Sequence, residues 1–198
     1  MRIPSLQCFL LAGMLVFTTC RCDAQQSERD STKVASHTKI AGITTVFRKN
    51  SHAEVIIGRL IRGYSLDDEG PRPALTLDSL FADQFPKSDM SREWSAQYGF
   101  SIVDSVNAAL TNGSKMLNVD GVLLVAEHGD YERSETGNKQ FPKRRLFGEV
   151  AKTFEAAGRS VPVFSDKHLA DNWVDAKWIY DRAKELNVPL MAGSSLPV

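Results

Sequence analysis

The chain has 198 residues, which is enough for one domain and a small additional segment. Hydrophobic residues make up 42% of it, as is ordinary for a protein that builds a packed core. Its 24 basic residues balance its 24 acidic ones. This balance argues against a nucleic-acid-binding protein, because such proteins need a basic face that displaces counterions from phosphates.

The N-terminus has the layout of a secretory signal peptide. Arg2 provides a positive charge, residues 9–17 (FLLAGMLVF) form an apolar run, and Ala24 ends a plausible cleavage site. The run is shorter than the roughly 20 residues that a membrane-spanning helix needs. We therefore predict a signal peptide over residues 1–24 and an exported protein, periplasmic or extracellular, with no membrane contact after cleavage. A retained anchor and lipoprotein processing at Cys20 are the alternatives.

All three cysteines, Cys8, Cys20 and Cys22, precede the predicted cleavage site. The mature protein would therefore contain no disulfide, no thiol nucleophile and no cysteine metal ligand, and core packing would have to supply its stability. Residues 25–39 are polar and lack periodicity, so we predict a flexible linker there.

Strand-like and helix-like segments alternate from residue 40 onwards. The predicted strands cover residues 40–47, 75–82, 100–103, 119–126, 161–164 and 188–192. The first predicted helix runs from Asn50 or Ser51 to Gly63, and the second runs from Ser88 or Asp89 to Tyr98, where Gly99 stops it. The remaining predicted helices cover 104–110, then 142–157, which Gly158 closes, and then Asp171 or Asn172 to Leu186. Residues 119–126 (VDGVLLVA) form the strongest strand, because a continuous apolar run is typical of burial on both faces of a parallel sheet.

Six strands joined by five helical crossovers predict an α/β domain over residues 40–198, with a doubly wound parallel sheet of the Rossmann type. Ligands of such sheets bind beyond the carboxyl ends of the strands, where the strand order reverses. We therefore expect a ligand site in the loops after strands one, two, four and five. The Leu-Pro-Val ending predicts a chain cut before a second domain.

Three segments resemble the Gfo/Idh/MocA family, the glucose–fructose oxidoreductase and inositol dehydrogenase-like proteins. Residues 166–193 resemble the family stretch in which a strand ends in Glu-Lys-Pro, with Asp166-Lys167-His168 at that position. Residues 119–128 (VDGVLLVAEH) resemble its strand that ends in Ile-Ala-Thr-Pro. Residues 80–110 resemble its second strand and the helix that follows.

This resemblance implies the N-terminal Rossmann domain of an oxidoreductase that uses NAD or NADP on a sugar or polyol. It also implies a second domain that shapes the substrate pocket and a homo-oligomer. It places Lys167 near the nicotinamide and the substrate, and Asp83 where an acidic residue could bind a ribose.

The loop after the first strand departs from the family pattern. A dinucleotide site of this fold needs glycines there, so that backbone N–H groups approach the pyrophosphate. Residues 47–52 (FRKNSH) contain none. Arg48 and Lys49 could hold a phosphate by charge instead, or they could be solvated loop cations. A leader of the general secretory type, which delivers an unfolded chain to a cofactor-poor compartment, also argues against a working dehydrogenase.

Lys167 and His128 are the predicted catalytic residues, because both follow strands at the expected crevice. A cation at Lys167 can stabilise developing negative charge, and the imidazole of His128 suits proton transfer. An ion pair between Lys167 and Asp166, and a histidine that only orients its loop, are the structural alternatives. The predicted cofactor contacts are Arg48, Lys49, Ser51, Asp83 and Glu127. His52, in the first turn of a helix, has a weaker case.

Three functions compete at this point. The first is an NAD(P)-binding oxidoreductase domain, and the second is a cofactor-free protein that binds a carbohydrate or cell-envelope ligand in the same crevice. The third is a metal-assisted hydrolase that uses His128, Asp166 and His168, although no HxH or HExxH spacing supports it and no metal site is predicted.

Three further segments have structural interpretations. We interpret residues 129–143 as a long polar lid and residues 143–145 as a solvated helix start. We interpret Trp173 and Tyr180 as part of the inward stripe of the last helix.

Overall fold

The computed structural model describes residues 38–193 except Leu66. Its elements in chain order are β1 (Thr38–Thr44), α1 (His52–Arg62), β2 (Leu75–Ala82), α2 (Ser91–Tyr98), β3 (Ser101–Val103), α3 (Val106–Thr111), β4 (Gly121–Val125), α4 (Lys143–Ala157), β5 (Val163–Asp166), α5 (Trp173–Glu185) and β6 (Leu190–Gly193). The predicted signal peptide and nearly all of the predicted linker lie outside the described residues. No helix in the described ranges is long and apolar enough to cross a membrane.

The six strands form one sheet in the order β3-β2-β1-β4-β5-β6, and all neighbours are parallel. The predicted doubly wound Rossmann sheet is therefore confirmed. The chain builds outward from β1 to β3 and then returns to place β4 on the other side of β1. The strand order reverses between β1 and β4, and a crevice forms at the carboxyl ends of strands at such a switch point.

Both faces of the sheet are covered by helices. One apolar cluster contains Ile57 of α1 and Trp94 of α2, and the other contains Leu110 of α3, Phe147 of α4 and Ile179 of α5. Strand β1 contributes side chains to both clusters because successive side chains of a strand point to opposite faces of the sheet. Its Ile40 packs in the first cluster, and its Ala41 and Ile43 pack in the second. Burial on both faces explains why β1 and β4 are nearly continuous apolar runs.

Several predicted element ends are confirmed and others are wrong. Ser51 and Asn172 are the N-caps of α1 and α5, and each side chain accepts a hydrogen bond from a backbone N–H of the first turn. Gly99 ends α2 in the left-handed conformation, as predicted. The predicted caps Ser88 and Asp89 are wrong, since α2 begins at Ser91 after Met90.

The predicted inward stripe of α5 is wrong in part. Ile179 and Ala183 are buried, but Trp173 is 76% exposed and Tyr180 is 52% exposed. Helix α5 contacts α4 and lies near the β6 edge of the sheet, so only a narrow stripe of it meets the core. Helical periodicity overestimated the width of the buried face for this reason.

The packing of α1 on β1 depends on Gly42. A β-carbon at this position would lie 2.9 Å from Leu80 Cδ1 and 3.2 Å from Ile57 Cδ1, closer than ordinary contact distance. We expect Gly42→Val to lower the free energy of unfolding by about 1–3 kcal/mol, because the added carbons overpack this layer. The measurement is equilibrium unfolding in urea.

Gly148→Ala in α4 is the matched control. Its new methyl group would lie 3.5 Å from Trp178 Cη2, at ordinary contact distance. We expect the free energy of unfolding of this variant to rise by about 0.5–1 kcal/mol, because alanine is a better helix former than glycine. A Gly42→Val variant as stable as the wild type would contradict the close approach of α1 to β1.

Candidate functional site

The loops after β1, β4 and β5 bring a polar cluster together at the switch point. His52 at the start of α1 makes a hydrogen bond through Nδ1 to Asp166 Oδ2 at 2.6 Å. The ring of His52 lies 5.1 Å from the ring of His128, centroid to centroid. Arg48 and Lys167 lie close enough to His128 for their charges to act on its imidazole. We call this group of residues (Arg48, His52, His128, Asp166 and Lys167) the crevice cluster.

The hydrogen bond between His52 and Asp166 was not predicted. The carboxylate of Asp166 is fully buried, and its Oδ1 has no hydrogen-bond partner among the described residues. The side chain of His52 is 17% exposed, and its Nε2 makes no hydrogen bond within the described ranges. The N-cap Ser51 fixes the first turn of α1 and with it the position of His52.

Two members of the cluster have a backbone conformation that disfavours side chains. The φ angle is 68° at His128 and 62° at Lys167, in the left-handed region. A residue with a β-carbon costs about 1–2 kcal/mol there, whereas glycine adopts the region freely. Non-glycine residues held in this way cluster at binding and catalytic sites. The functional roles of His128 and Lys167 stay predictions, and this backbone conformation is a feature that they share with residues of known sites.

The imidazole of His128 is held in its neutral form. Its burial lowers its pKa below the usual 6.5, the neighbouring His52, Arg48 and Lys167 lower it further, and Glu127 opposes them. Its Nδ1 is buried and has no hydrogen-bond partner in the described part of the chain. The other ring nitrogen, Nε2, is not among the buried unpaired atoms, and in a neutral imidazole it can donate to or accept from a ligand oxygen.

Lys143 joins the loops that carry His128 and Lys167. Its side chain is 1% exposed, and its Nζ forms an ion pair with Glu127 Oε1 at 2.6 Å. The same nitrogen donates to the carbonyls of Asp166 and His168 at 3.2 and 3.0 Å, and lies 3.0 Å from His168 Nδ1. The interpretation of Lys143 as part of a solvated helix start is therefore wrong. Sequence pattern could not reveal this role, because the partners of Lys143 come from two other loops.

Three of the predicted cofactor residues are bound to the protein's own groups. Ser51 Oγ accepts hydrogen bonds from the N–H groups of Glu54 and Arg48, and Glu127 pairs with Lys143. Asp83 lies directly after β2, where the family resemblance places a ribose ligand, but Oδ2 of its carboxylate accepts from other side chains. Its donors are the hydroxyl of Tyr131 and the guanidinium of Arg145, both at 2.6 Å.

The two remaining predicted cofactor residues, Arg48 and Lys49, differ in their exposure to solvent. Arg48 is partly buried and belongs to the crevice cluster, whereas Lys49 is exposed and offers its carbonyl to the Arg48 guanidinium. Neither side chain has a carboxylate partner among the described residues.

The residues at the start of α1 do not fit a dinucleotide pyrophosphate. In this fold the pyrophosphate accepts backbone N–H groups at the N-terminus of the first helix. Here the N–H of Asn50 donates to Glu54 Oε2 at 2.6 Å, and the N–H of Glu54 donates to Ser51. The Glu54 carboxylate thus brings negative charge to the place where a pyrophosphate would add more. Asn50 itself has a φ of 60°, in the region that glycine favours.

The predicted polar lid is tied to β2. Gln84, just after β2, exchanges two hydrogen bonds of 2.9 Å with the backbone of Asp130. Tyr131 reaches Asp83, and burial together with this hydrogen bond raises the pKa of the Tyr131 hydroxyl above its usual value. A short antiparallel bridge between Arg133 and Lys139 closes the middle of the loop. The segment from Gly129 to Phe141 is therefore held by specific contacts.

The structure does not assemble the residues of the hydrolase hypothesis. Within the described ranges, no group of three or more His, Cys, Asp and Glu side chains is placed to hold a metal ion. His168 faces Lys143 and Asp171, while His128 lies beside His52.

Comparisons with solved structures identify the fold. Scyllo-inositol dehydrogenase from Lactobacillus casei matches with a TM-score of 0.50 and 12% identity, over 79% of this chain and 36% of that one. The dehydrogenase MviM from Clostridium difficile matches with a TM-score of 0.48 and 15% identity, over 79% and 39%. Biliverdin reductase from Synechocystis, solved with biliverdin and NADP+, matches with a TM-score of 0.47 and 14% identity, over 78% and 37%.

The shared feature is the fold. The resemblance to Gfo/Idh/MocA dehydrogenases is confirmed at this level alone, since the scyllo-inositol dehydrogenase shares the fold. This chain spans less than two fifths of the length of these three proteins. No protein-family model and no curated protein sequence matches the chain.

Removal of the Lys143 ammonium should destabilise the protein strongly. We expect Lys143→Met to lower the free energy of unfolding by about 3–5 kcal/mol, because it leaves the buried Glu127 carboxylate without a counter-charge. Lys177→Met is the control, since Lys177 forms an exposed ion pair with Asp181, and we expect a change within about 1 kcal/mol. Equal decreases in the free energy of unfolding of the two variants, measured in urea, would contradict the role assigned to Lys143.

The titration of His128 tests whether Arg48 faces it. We expect its C2 proton to titrate below pH 6.5 in NMR spectra, and Arg48→Gln to move the midpoint upward because a neighbouring positive charge is removed. The exposed Arg59→Gln should leave the midpoint unchanged. Because the folded protein protonates His128 less readily than the unfolded chain, its contribution to stability decreases as the pH falls from 6.5 to the folded pKa. An unchanged midpoint in Arg48→Gln would place Arg48 away from the crevice.

Proposed function

We propose that the crevice cluster binds a small polyhydroxylated molecule, a sugar or polyol, and that a dinucleotide in the usual pyrophosphate position is not required for this binding. One observation carries the proposal. His52, Asp166 and His128 come from three loops and meet at the switch point of the sheet, and the charges of Arg48 and Lys167 act on His128 there. At the start of α1, Glu54 and Ser51 accept the N–H groups of Asn50 and Glu54.

The chemistry of the cluster suits hydroxyl groups. Arg48 and Lys167 offer N–H donors that no carboxylate in the described ranges occupies. The Nε2 atoms of His52 and His128 have no hydrogen-bond partner among the described residues, and each can exchange a hydrogen bond with an alcohol. The cluster also lies where ligands of such sheets bind, at the carboxyl ends of the strands beside the switch point. The polyol in the name of the Lactobacillus casei enzyme belongs to the same class of ligand.

An NAD(P)-dependent oxidoreductase is the second candidate, and the strand order favours it. The order β3-β2-β1-β4-β5-β6 is that of dinucleotide-binding sheets, and Asp83 follows β2, where such sheets carry their ribose ligand. Two features oppose it, namely the glycine-free loop after β1 and the hydrogen bonds that Asp83 already makes. We also propose export of the protein, which rests on the signal-peptide pattern of residues 1–24 alone.

Ligand binding and cofactor binding can be measured separately. We expect saturation-transfer NMR to detect sugars or polyols, screened as a panel, and Lys167→Gln to weaken their binding about tenfold, because a charged hydrogen-bond donor is lost. The exposed Lys177→Gln is the matched control and should bind as the wild type does.

NADH and NADPH should not bind at millimolar concentration in a fluorescence titration. Saturable binding of either would favour the oxidoreductase candidate. Failure of every sugar and polyol to bind, in the presence and absence of cofactor, would overturn the proposed function.

A further inference from the structure

We propose that the His52–Asp166 pair is a proton-accepting dyad, and that the crevice enolises sugars that carry a carbonyl group without a redox cofactor. This inference rests on the proposed function, because the sugar must bind in the crevice cluster. It assigns to that cluster a reaction that simple ligand binding does not require.

The geometry of the pair is that of a histidine prepared to accept a proton. The buried carboxylate of Asp166 lies 2.6 Å from Nδ1 of His52. Such a carboxylate holds the proton on Nδ1, leaves Nε2 as the acceptor, and stabilises the imidazolium that forms when Nε2 takes up a second proton. Nε2 of His52 has no partner among the described residues, so the acceptor is available to a ligand.

The neighbouring groups supply what an enolisation needs in addition to a base. Lys167 and Arg48 bring positive charge to the same crevice, and a cation stabilises the oxyanion that develops on a carbonyl oxygen. His128, whose ring lies 5.1 Å from that of His52, is held neutral and can move a proton between two ligand oxygens. Glu127 also faces His128, but it is paired with Lys143.

The proposed step is balanced without an oxidant or reductant. A proton leaves the carbon next to the carbonyl group and binds to Nε2 of His52. The electron pair of that C–H bond forms the carbon–carbon double bond, and the carbonyl π pair moves to oxygen to give an enediolate. Return of the proton to the same carbon restores the sugar or gives its epimer, and return to the neighbouring carbon interconverts aldose and ketose.

The competing reactions lack their machinery in the described part of the chain. Hydride transfer needs a dinucleotide, and the start of α1 does not fit its pyrophosphate. Metal-assisted hydrolysis needs a cluster of ligands that the described residues do not form. Proton transfer needs only the base, its carboxylate and a cation. His52 and Asp166 supply the first two, and Lys167 follows Asp166 directly in the chain.

Hydrogen exchange is the direct test. The purified protein is incubated in D2O with aldoses and ketoses (D-glucose, D-xylose, D-fructose), and proton NMR follows the signal of the hydrogen next to the carbonyl group. We expect the wild type to exchange this hydrogen for deuterium and His52→Gln to exchange it at least about 100-fold more slowly. Sugar binding by His52→Gln should remain detectable in saturation-transfer NMR and should weaken far less than exchange does, because Arg48, His128 and Lys167 are still present. Lys177→Gln should behave as the wild type in both measurements.

A second measurement needs no variant. Long-range proton–nitrogen NMR of the wild type above pH 8 should show His52 with its proton on Nδ1, whereas free histidine favours Nε2. Asp166 acts as a positioning residue, so Asp166→Asn should slow exchange and shift His52 to the Nε2 form.

The outcomes separate the two proposals. Sugars that bind without exchange in the wild type would overturn the dyad and leave the proposed function standing. Unchanged exchange in His52→Gln, or a wild-type His52 protonated on Nε2, would also overturn the dyad. Absence of all sugar binding would overturn both.

Discussion

Lys143 places its ammonium group in the protein interior, between the loops that follow β4 and β5. A buried ammonium is costly unless it is paired and fully hydrogen-bonded, and here it meets Glu127, two carbonyls and an imidazole. These contacts fix the relative position of the two loops. His128 and Lys167 are the neighbours of residues that Lys143 binds, so the shape of the crevice depends on this one buried charge.

The crevice combines an ordinary scaffold with an altered phosphate-binding position. The strand order and the switch point are those of dinucleotide-binding sheets. At the N-terminus of α1, however, the side chains of Glu54 and Ser51 accept the N–H groups of Asn50 and Glu54, and the Glu54 carboxylate brings negative charge to the phosphate position. The same helix start carries His52, whose hydrogen bond to Asp166 spans the switch point. One fold can therefore retain its ligand crevice while the groups that line it change.

Much of the fold could be predicted because its signals are local. The apolar run of residues 119–126 predicted a central parallel strand, and β4 occupies Gly121–Val125. Gly99 and Gly158 predicted helix ends, and both adopt the left-handed conformation there. Periodicity failed on α5, where Trp173 and Tyr180 are exposed because the edge of the sheet offers little surface to cover. For the candidate site, the sequence predicted only the location, in the loops at the carboxyl ends of the strands.

The sequence by itself determined the element order, the parallel sheet and the location of His128 and Lys167 at strand ends. These follow from hydrophobic periodicity, capping residues and the crossover rule, each of which acts over short stretches of chain. Only the tertiary structure decided which side chains meet. His52 and Asp166 are 114 residues apart, and Lys143 binds groups from two other loops. Such pairs are set by through-space geometry and burial, which leave no periodic trace in the sequence.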